Sequence, residues 1–348
     1  KNYDKIYIEK IKGVSIMFEF TEQDYKAFKV VAQQTQEQLS RTSQLVLEKY
    51  YEKDKIEICQ GNIIAHGTIP IALVAHMDTV FLAPPTEIFY DREEQVIWSP
   101  HGLGADDRAG IYGIYYLLKQ GYRPTILFMR DEEDCCAGAY ELTGIMTKLE
   151  NINYIIELDR AHHNDCVFYD VANEQFQAYI ESFGFHTAIG SYTDIRILSH
   201  YWKICSVNLS IGYEYEHTAY EYLKVNSFMN TLSAVAQMLS EPIVPKFEYI
   251  EQHYPQDYTT PTDFCCFCGT KLPARALDKI VTETGTWNIC DTCITNYGMN
   301  VDICEHCFNY FIPADKETVC LNCKNKERED FAYAADARVD RDHGYFCF

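Results

Sequence analysis

Three features of the sequence predict an α/β fold, a mixed sheet sandwiched by helices, followed by a small cysteine-rich zinc-binding domain. Short apolar strands alternate with helical stretches of about 11–13 residues from position 56 to position 239. Ile69–Ala75 is a near-continuous apolar run, which suits a strand covered on both faces. Nine of the 15 cysteines lie between Cys265 and Cys323, mostly in C-x-x-C pairs.

The elements are expected in this order. Thr21-Glu-Gln-Asp24 is a capping-box variant, and the chain behind it has helical apolar spacing through Phe28, Val31, Leu39, Leu45 and Leu47. Strands follow at Ile56–Cys59, Ile63–Ala65 and Ile69–Ala75. Residues 81–100 are loop-like, with tandem prolines and one strand at Gln95–Trp98. Helices are predicted at Ala109–Lys119, Ala137–Leu149 and Ser227–Leu239. Further strands are predicted at Thr125–Met129, Tyr154–Leu158, Val167–Tyr169 and Ile204–Ser210, and Gln175–Phe183 reads as strand or helix.

Composition narrows the function. The chain has 348 residues, enough for two or three domains at roughly 100–200 residues each. Its 47% hydrophobic content excludes wholesale disorder. Acidic residues number 51 against 30 basic, a net charge of −21, which argues against a nucleic-acid sheath or an anionic membrane surface. No uninterrupted apolar run reaches the ~18 residues of a membrane helix, and the first residues lack a signal-peptide core. Residues 1–16 are read as an upstream extension or a processed start. Clustered rather than scattered cysteines indicate metal binding in a reducing compartment, so a cytoplasmic location is expected.

The expected division is an extension over 1–20, a catalytic domain over 21–245 and a proline-marked linker over 246–262 (Pro242, Pro245, Pro255 and Pro261 lie in or near it). A Cys₄ zinc module over 263–325 and a tail over 326–348 complete it.

Chemistry-bearing residues collect where the apolar strands end, the place where open α/β sheets bind ligands. His76 and Asp78 follow one strand, Asp131 to Asp134 a second and Asp159 a third, and the candidates in order are His76, Asp78, Asp106, Glu132, Glu133, Asp159 and His217. Nitrogen and oxygen donors without thiolates fit a catalytic Zn²⁺, Mn²⁺ or Co²⁺ site rather than a structural one. Each has a plainer reading. A lone histidine is more often structural, Asp106 beside Asp107 could cap a helix, and Asp131–Asp134 could be a solvated acidic run. His186 and His200 rival His217.

Ala75-His-Met-Asp-Thr79, Gly104-Ala-Asp-Asp-Arg-Ala-Gly110 and Asp131-Glu-Glu133, in that order, resemble the signature blocks of the co-catalytic zinc exopeptidases, the metallopeptidase families M28, M20 and M42. The resemblance covers about residues 60–240 and is specific only in combination. It implies a zinc-exopeptidase-like fold and two catalytic divalent metals, Zn²⁺ or else Mn²⁺ or Co²⁺. It implies that His76 and Asp159 bind the first metal, Glu133 and His217 the second, and Asp106 both. Asp78 would orient His76, Glu132 would be the general base, and Asp107 would cap the helix. The sequence departs from the pattern at Asp134-Cys-Cys136, where the families often carry glycine. The 57 residues between Asp159 and His217 are too few for an inserted lid or dimerisation domain, which implies the compact M28-like layout. Ser191-Tyr-Thr-Asp194 looks like the Ser/Thr-Asp element of those compact enzymes. The activity implied is hydrolysis of a peptide or amide bond by a water held between two metals, aminopeptidase first. Arg108, Arg160 and Arg196 keep carboxypeptidase or acyl-amino-acid hydrolase open.

In the cysteine-rich segment, Cys265 and Cys268, Cys290 and Cys293, Cys304 and Cys307, and Cys320 and Cys323 supply two structural Zn²⁺ sites, resembling zinc-ribbon knuckles. Sequential and cross-braced pairing both fit, Cys265 and Cys266 compete for one position, and His306 could replace a thiolate. From Asp263 onward nine Lys/Arg face fourteen Asp/Glu, so a protein partner is expected before a nucleic acid. The alternative to an enzyme is a catalytically silent hydrolase fold that binds a protein through this module.

Overall fold

The computed structural model describes residues 16–190 and 193–251. Of the remainder it describes 262–264, 271–273, 277–282, 285–289, 302–306, 310–311, 318–320 and 323–324. The chain divides into two compact units, Lys1–His253 and Tyr254–Phe348.

The first unit begins with two helices, α1 (Glu22–Ala32) and α2 (Gln36–Leu47), where the sequence suggested one continuous helical stretch. A second capping box explains the break. Thr35 Oγ1 accepts from the Gln38 amide, and the Gln38 side chain accepts from the Thr35 amide. Thr21 and Asp24 form the same device at the start of α1.

The first ten of the strands described in the unit are β1 (Ile56–Cys59), β2 (Asn62–Ala65), β3 (Ile69–His76), β4 (Phe89–Asp91), β5 (Val96–Trp98), β6 (Pro124–Met129), β7 (Tyr154–Arg160), β8 (Asp165–Val167), β9 (His186–Thr187) and β10 (Ser206–Ser210). Eight of them form a mixed sheet in the order β1-β2-β6-β3-β7-β10-β8-β9. Its centre, β6-β3-β7-β10, is parallel, and antiparallel pairs flank it. Helices α3 (Ala105–Lys119), α4 (Ala137–Ile145), α5 (Glu174–Glu181), α6 (Asp194–Trp202) and α7 (Val225–Leu239) accompany the sheet. The chain is therefore a mixed α/β sandwich, as its alternating pattern predicts. The segment 175–183 resolves to helix, started by Asn173, whose side chain accepts from the Phe176 amide.

Strand β3 shows why its sequence has no alternation. Ile71, Leu73 and Ala75 pack with residues of α1, α2, α3 and α7 on one face. Ala72 and Val74 pack with residues of α4 and α6 on the other. Successive side chains point to opposite faces, and both faces are covered, so every position from Ile69 to Ala75 is apolar.

A second, antiparallel sheet, in the order β11-β12-β5-β4, adds β11 (Tyr213–Glu214) and β12 (Tyr222–Lys224). The sequence reading missed β4, β9, β11, β12 and α6. The four strands have two or three residues, too few to establish a period. Phe18 and Phe20 pack edge-on against Tyr116 and Phe228. Further on, the Ala172 amide donates to Ile250 O.

In the second unit, β13 (Thr262–Phe264) pairs with β14 (Lys271–Pro273). The strands β15 (Asp278–Thr282), β16 (Gly285–Ile289), β17 (Asp302–Ile303) and β18 (Tyr310–Phe311) form a sheet in the order β16-β15-β18-β17. Among the described residues no helix is long and apolar enough to cross a membrane.

Close contact between α3 and β7 positions the carboxyl end of the sheet. A Cβ at Gly110 would lie 2.4 Å from Leu158 O, whereas one at Gly144 in α4 would meet nothing within 4 Å. Gly110→Ala is expected to lower unfolding stability by about 1–3 kcal/mol, and Gly144→Ala to leave it unchanged or slightly raised. Urea midpoints measure both, and equal midpoints for the two variants would contradict this packing.

Candidate functional site

Every metal-type residue singled out in the first unit converges at the carboxyl end of the parallel strands. His76 is the last residue of β3 and is buried. Asp78 follows two residues later. Asp106 sits at the start of α3, where Asp106 and Asp107 depart from helical φ/ψ and are joined by a cis peptide bond, so the regular helix begins at Arg108. Asp107 Oδ1 accepts from the Gly110 amide at 2.8 Å, the capping geometry the sequence suggested. Asp159 lies within β7, at its penultimate residue, rather than after the strand. Glu132 and Glu133 lie between β6 and α4. His217 lies in the loop between β11 and β12, at φ +60°.

Two donor groups result. In one, atoms of His76, Asp106 and Asp159 lie within 4.8 Å of one another, and in the other, atoms of Asp106, Glu133 and His217 do so. Asp106 belongs to both. Its Oδ1 is 3.1 Å from His76 Nε2, and its Oδ2 is 3.1 Å from His217 Nε2. Asp159 Oδ1 is 3.5 Å from His76 Nε2, and Glu133 Oε2 is 3.2 Å from His217 Nε2. His186 and His200 belong to neither group, and His200 Nδ1 is 3.1 Å from Glu251 instead.

Supporting contacts hold these side chains. Asp78 Oδ1 lies 3.2 Å from His76 Nδ1, and the two Asp78 oxygens accept from the Glu132 and Glu133 amides at 3.1 and 3.0 Å. One carboxylate thus orients the histidine and ties the Glu-Glu turn to the end of β3. Tyr213 donates to Asp159 Oδ1 at 3.1 Å, and the Asn208 side chain brackets the Asp159 backbone through Oδ1 and Nδ2. The Thr193 hydroxyl lies 2.5 Å from Glu157 Oε2 and 3.2 Å from Asp159 Oδ2. Ser191 lies outside the described residues. The three arginines considered for carboxylate recognition are engaged. Arg108 is buried and donates to Met77 O and Gln34 O, Arg160 pairs with Asp165, and Arg196 pairs with Asp170.

Electrostatics fit a cationic guest. Burial, offset in part by His76 and reinforced by Asp159 and other acids, pushes Glu132 up to about 9. Burial and Asp106 push Asp159 up to about 7. Burial opposes the charge on His217, but contacts with Asp106 and Glu133 raise it to about 11. Burial likewise opposes ionisation of Asp106, and hydrogen bonds from His217 and His76 overcome it and lower its pKa. Among protein groups, Glu133 Oε1 is buried without a hydrogen-bond partner. A crowd of carboxylates with nitrogen donors, no thiolate ligand and an unsatisfied buried oxygen fits divalent cations such as Zn²⁺, Mn²⁺ or Co²⁺. Among the zinc-site cysteines, the described Cys304, Cys320 and Cys323 come together. Cys265, Cys268, Cys290, Cys293 and Cys307 lie outside the described residues.

Sequence reasoning missed Glu221. It is fully buried, and its two oxygens accept from the Ala105 and Asp106 amides, both at 3.0 Å. Glu221 stands beside a three-residue strand with no motif around it, so only long-range pairing reveals it. Glu221→Ala strands two amides and is expected to weaken divalent-metal binding about 10–100-fold, measured by competition with a chromogenic chelator. Unchanged affinity would mean that Asp106 does not need this clamp.

No protein-family model matches the chain, and no curated protein matches it. Solved structures do. A TET aminopeptidase from a marine-sediment archaeon of the Thaumarchaeota aligns with TM-score 0.52 and 10% identity, over 64% of this chain and 98% of that one. A Staphylococcus aureus tripeptidase aligns with TM-score 0.47 and 16% identity, over 63% and 97%. An aminopeptidase from the archaeon Desulfurococcus kamchatkensis aligns with TM-score 0.48 and 12% identity, over 65% and 96%. At such identity the TET aminopeptidase likeness establishes a shared fold over 64% of this chain, and its chemistry remains that protein's own.

Proposed function

We propose that the chain is a metal-dependent exopeptidase-like hydrolase acting on peptides, with aminopeptidase activity as the specific reading. The observation that carries it is the pair of three-residue donor groups sharing Asp106. His76, Asp106 and Asp159 would hold one divalent cation, and Asp106, Glu133 and His217 a second. Two such cations supply Lewis-acid polarisation of the scissile carbonyl and acidify water to a pKa of about 7 in favourable cases.

The chain's own groups do the rest. Asp78 accepts from His76 Nδ1 and thereby presents Nε2 to the site. Glu132 has its amide fixed by Asp78, and its Oε1 lies 3.5 Å from Cys136 Sγ. With cations bound to offset the burial that raises it, Glu132 would be ionised, and as general base its carboxylate would take the proton of the attacking water and then deliver it to the leaving amine. The engagement of Arg108, Arg160 and Arg196 leaves an acid-rich site suited to an α-ammonium group, which supports aminopeptidase over carboxypeptidase. The fold shared with the TET aminopeptidase supports the same reading.

Glu132→Gln is expected to lower turnover of aminoacyl substrates about 10²–10⁴-fold while metal content stays near wild type. Parallel loss of metal would make Glu132 a ligand and reassign the Glu-Glu pair. Chelation should abolish turnover and added Zn²⁺, Mn²⁺ or Co²⁺ should restore it. Hydrolysis that persists after chelation, or none with any metal, would overturn the proposal in favour of a silent scaffold.

A further inference from the structure

The second unit holds a cluster whose chemistry differs from that of the first. Cys304 follows β17, and Cys320 and Cys323 lie after β18. Their three Sγ atoms lie within 4.8 Å of one another. Cys304 and Cys320 are fully buried. The amides of His306 and Cys320 donate to Cys304 Sγ at 3.4 and 3.2 Å. Backbone N–H donors aimed at a sulfur favour its thiolate form, the form that binds metal. Around the three sulfurs the described apolar packing is Phe311 and Val319. So small a cluster cannot order the surrounding turns by burial, and units of this size are commonly stapled by a metal.

We propose that Cys304, Cys320 and Cys323 are ligands of one Zn²⁺, so that the third C-x-x-C pair shares a site with the fourth. Thiolate donors select a borderline-soft ion that accepts tetrahedral coordination, which distinguishes this site from the carboxylate-histidine centre. Cys307, three residues after Cys304, lies outside the described residues. This resolves the pairing in the sequential sense, because a cross-braced arrangement would place Cys304 and Cys320 in different sites. The inference stands independently of the hydrolase reading.

The test uses the full-length chain with zinc exchanged for an NMR-active cadmium isotope. Its resonance position reports the number of thiolates on each ion. Cys304→His and Cys320→His, which retain a ligand, should each move the same thiolate-bound resonance. Movement of two different resonances would establish cross-bracing and overturn the proposal, as would the lack of any thiolate-bound resonance in the wild type. A second measurement needs no variant. Differential alkylation of the zinc-loaded wild type should find Cys304, Cys320 and Cys323 protected together and released together by a chelator. Independent reactivity of Cys304, or a Cys320–Cys323 disulfide in place of metal, would equally refute it.

Discussion

The shared carboxylate of Asp106 is the constraint around which the first unit is organised. Its two oxygens face two histidines from distant parts of the chain, His76 at the end of a central strand and His217 in a loop of the second sheet. To stand between them, Asp106 must leave helical geometry at the head of α3. Glu221 compensates by accepting the Ala105 and Asp106 amides, which the departure would otherwise strand in the interior. One side chain therefore ties together the end of β3, the start of α3 and the β11–β12 connection.

The rest of the site follows from placing many acids in an apolar surround. Burial raises Glu157, Asp107 and Asp194 as well as Glu132 and Asp159. Both faces of the sheet are packed with aliphatic and aromatic side chains, so water screens these charges poorly. Amides, hydroxyls and two histidines meet part of the demand, and divalent cations in the proposed sites would meet the remainder. In this reading, the arrangement that costs folding stability is the one that would activate a water and a carbonyl.

The two units carry two kinds of donor. Histidine nitrogens and carboxylate oxygens line the first unit's site, and cysteine sulfurs form the second unit's cluster. Differences in ligand softness would direct an exchangeable catalytic ion to the first and a structural zinc to the second. The C-x-x-C pairs are legible because their two members are adjacent in sequence. Which pairs would share an ion is a long-range question, and spacing alone permitted two answers.

Fold class and the identity of most of the candidate site were readable from residue order. Apolar runs such as Ile69–Ala75 must be buried on both faces, and polar residues that interrupt them, His76 and Asp78 or Asp131 to Glu133, must fall at strand ends. The break between α1 and α2 was hidden because Thr35 and Gln38 read as ordinary helix residues until their caps form. That Asp106 stands between both histidines was implied by the family resemblance and not by residue order, which could not show that Glu221 holds its backbone or that Arg108 is spent on Met77 and Gln34. Those relations join residues about 30 to 120 positions apart, and no local period or propensity encodes such a distance. They exist only once the parallel sheet has brought its strand ends to one edge.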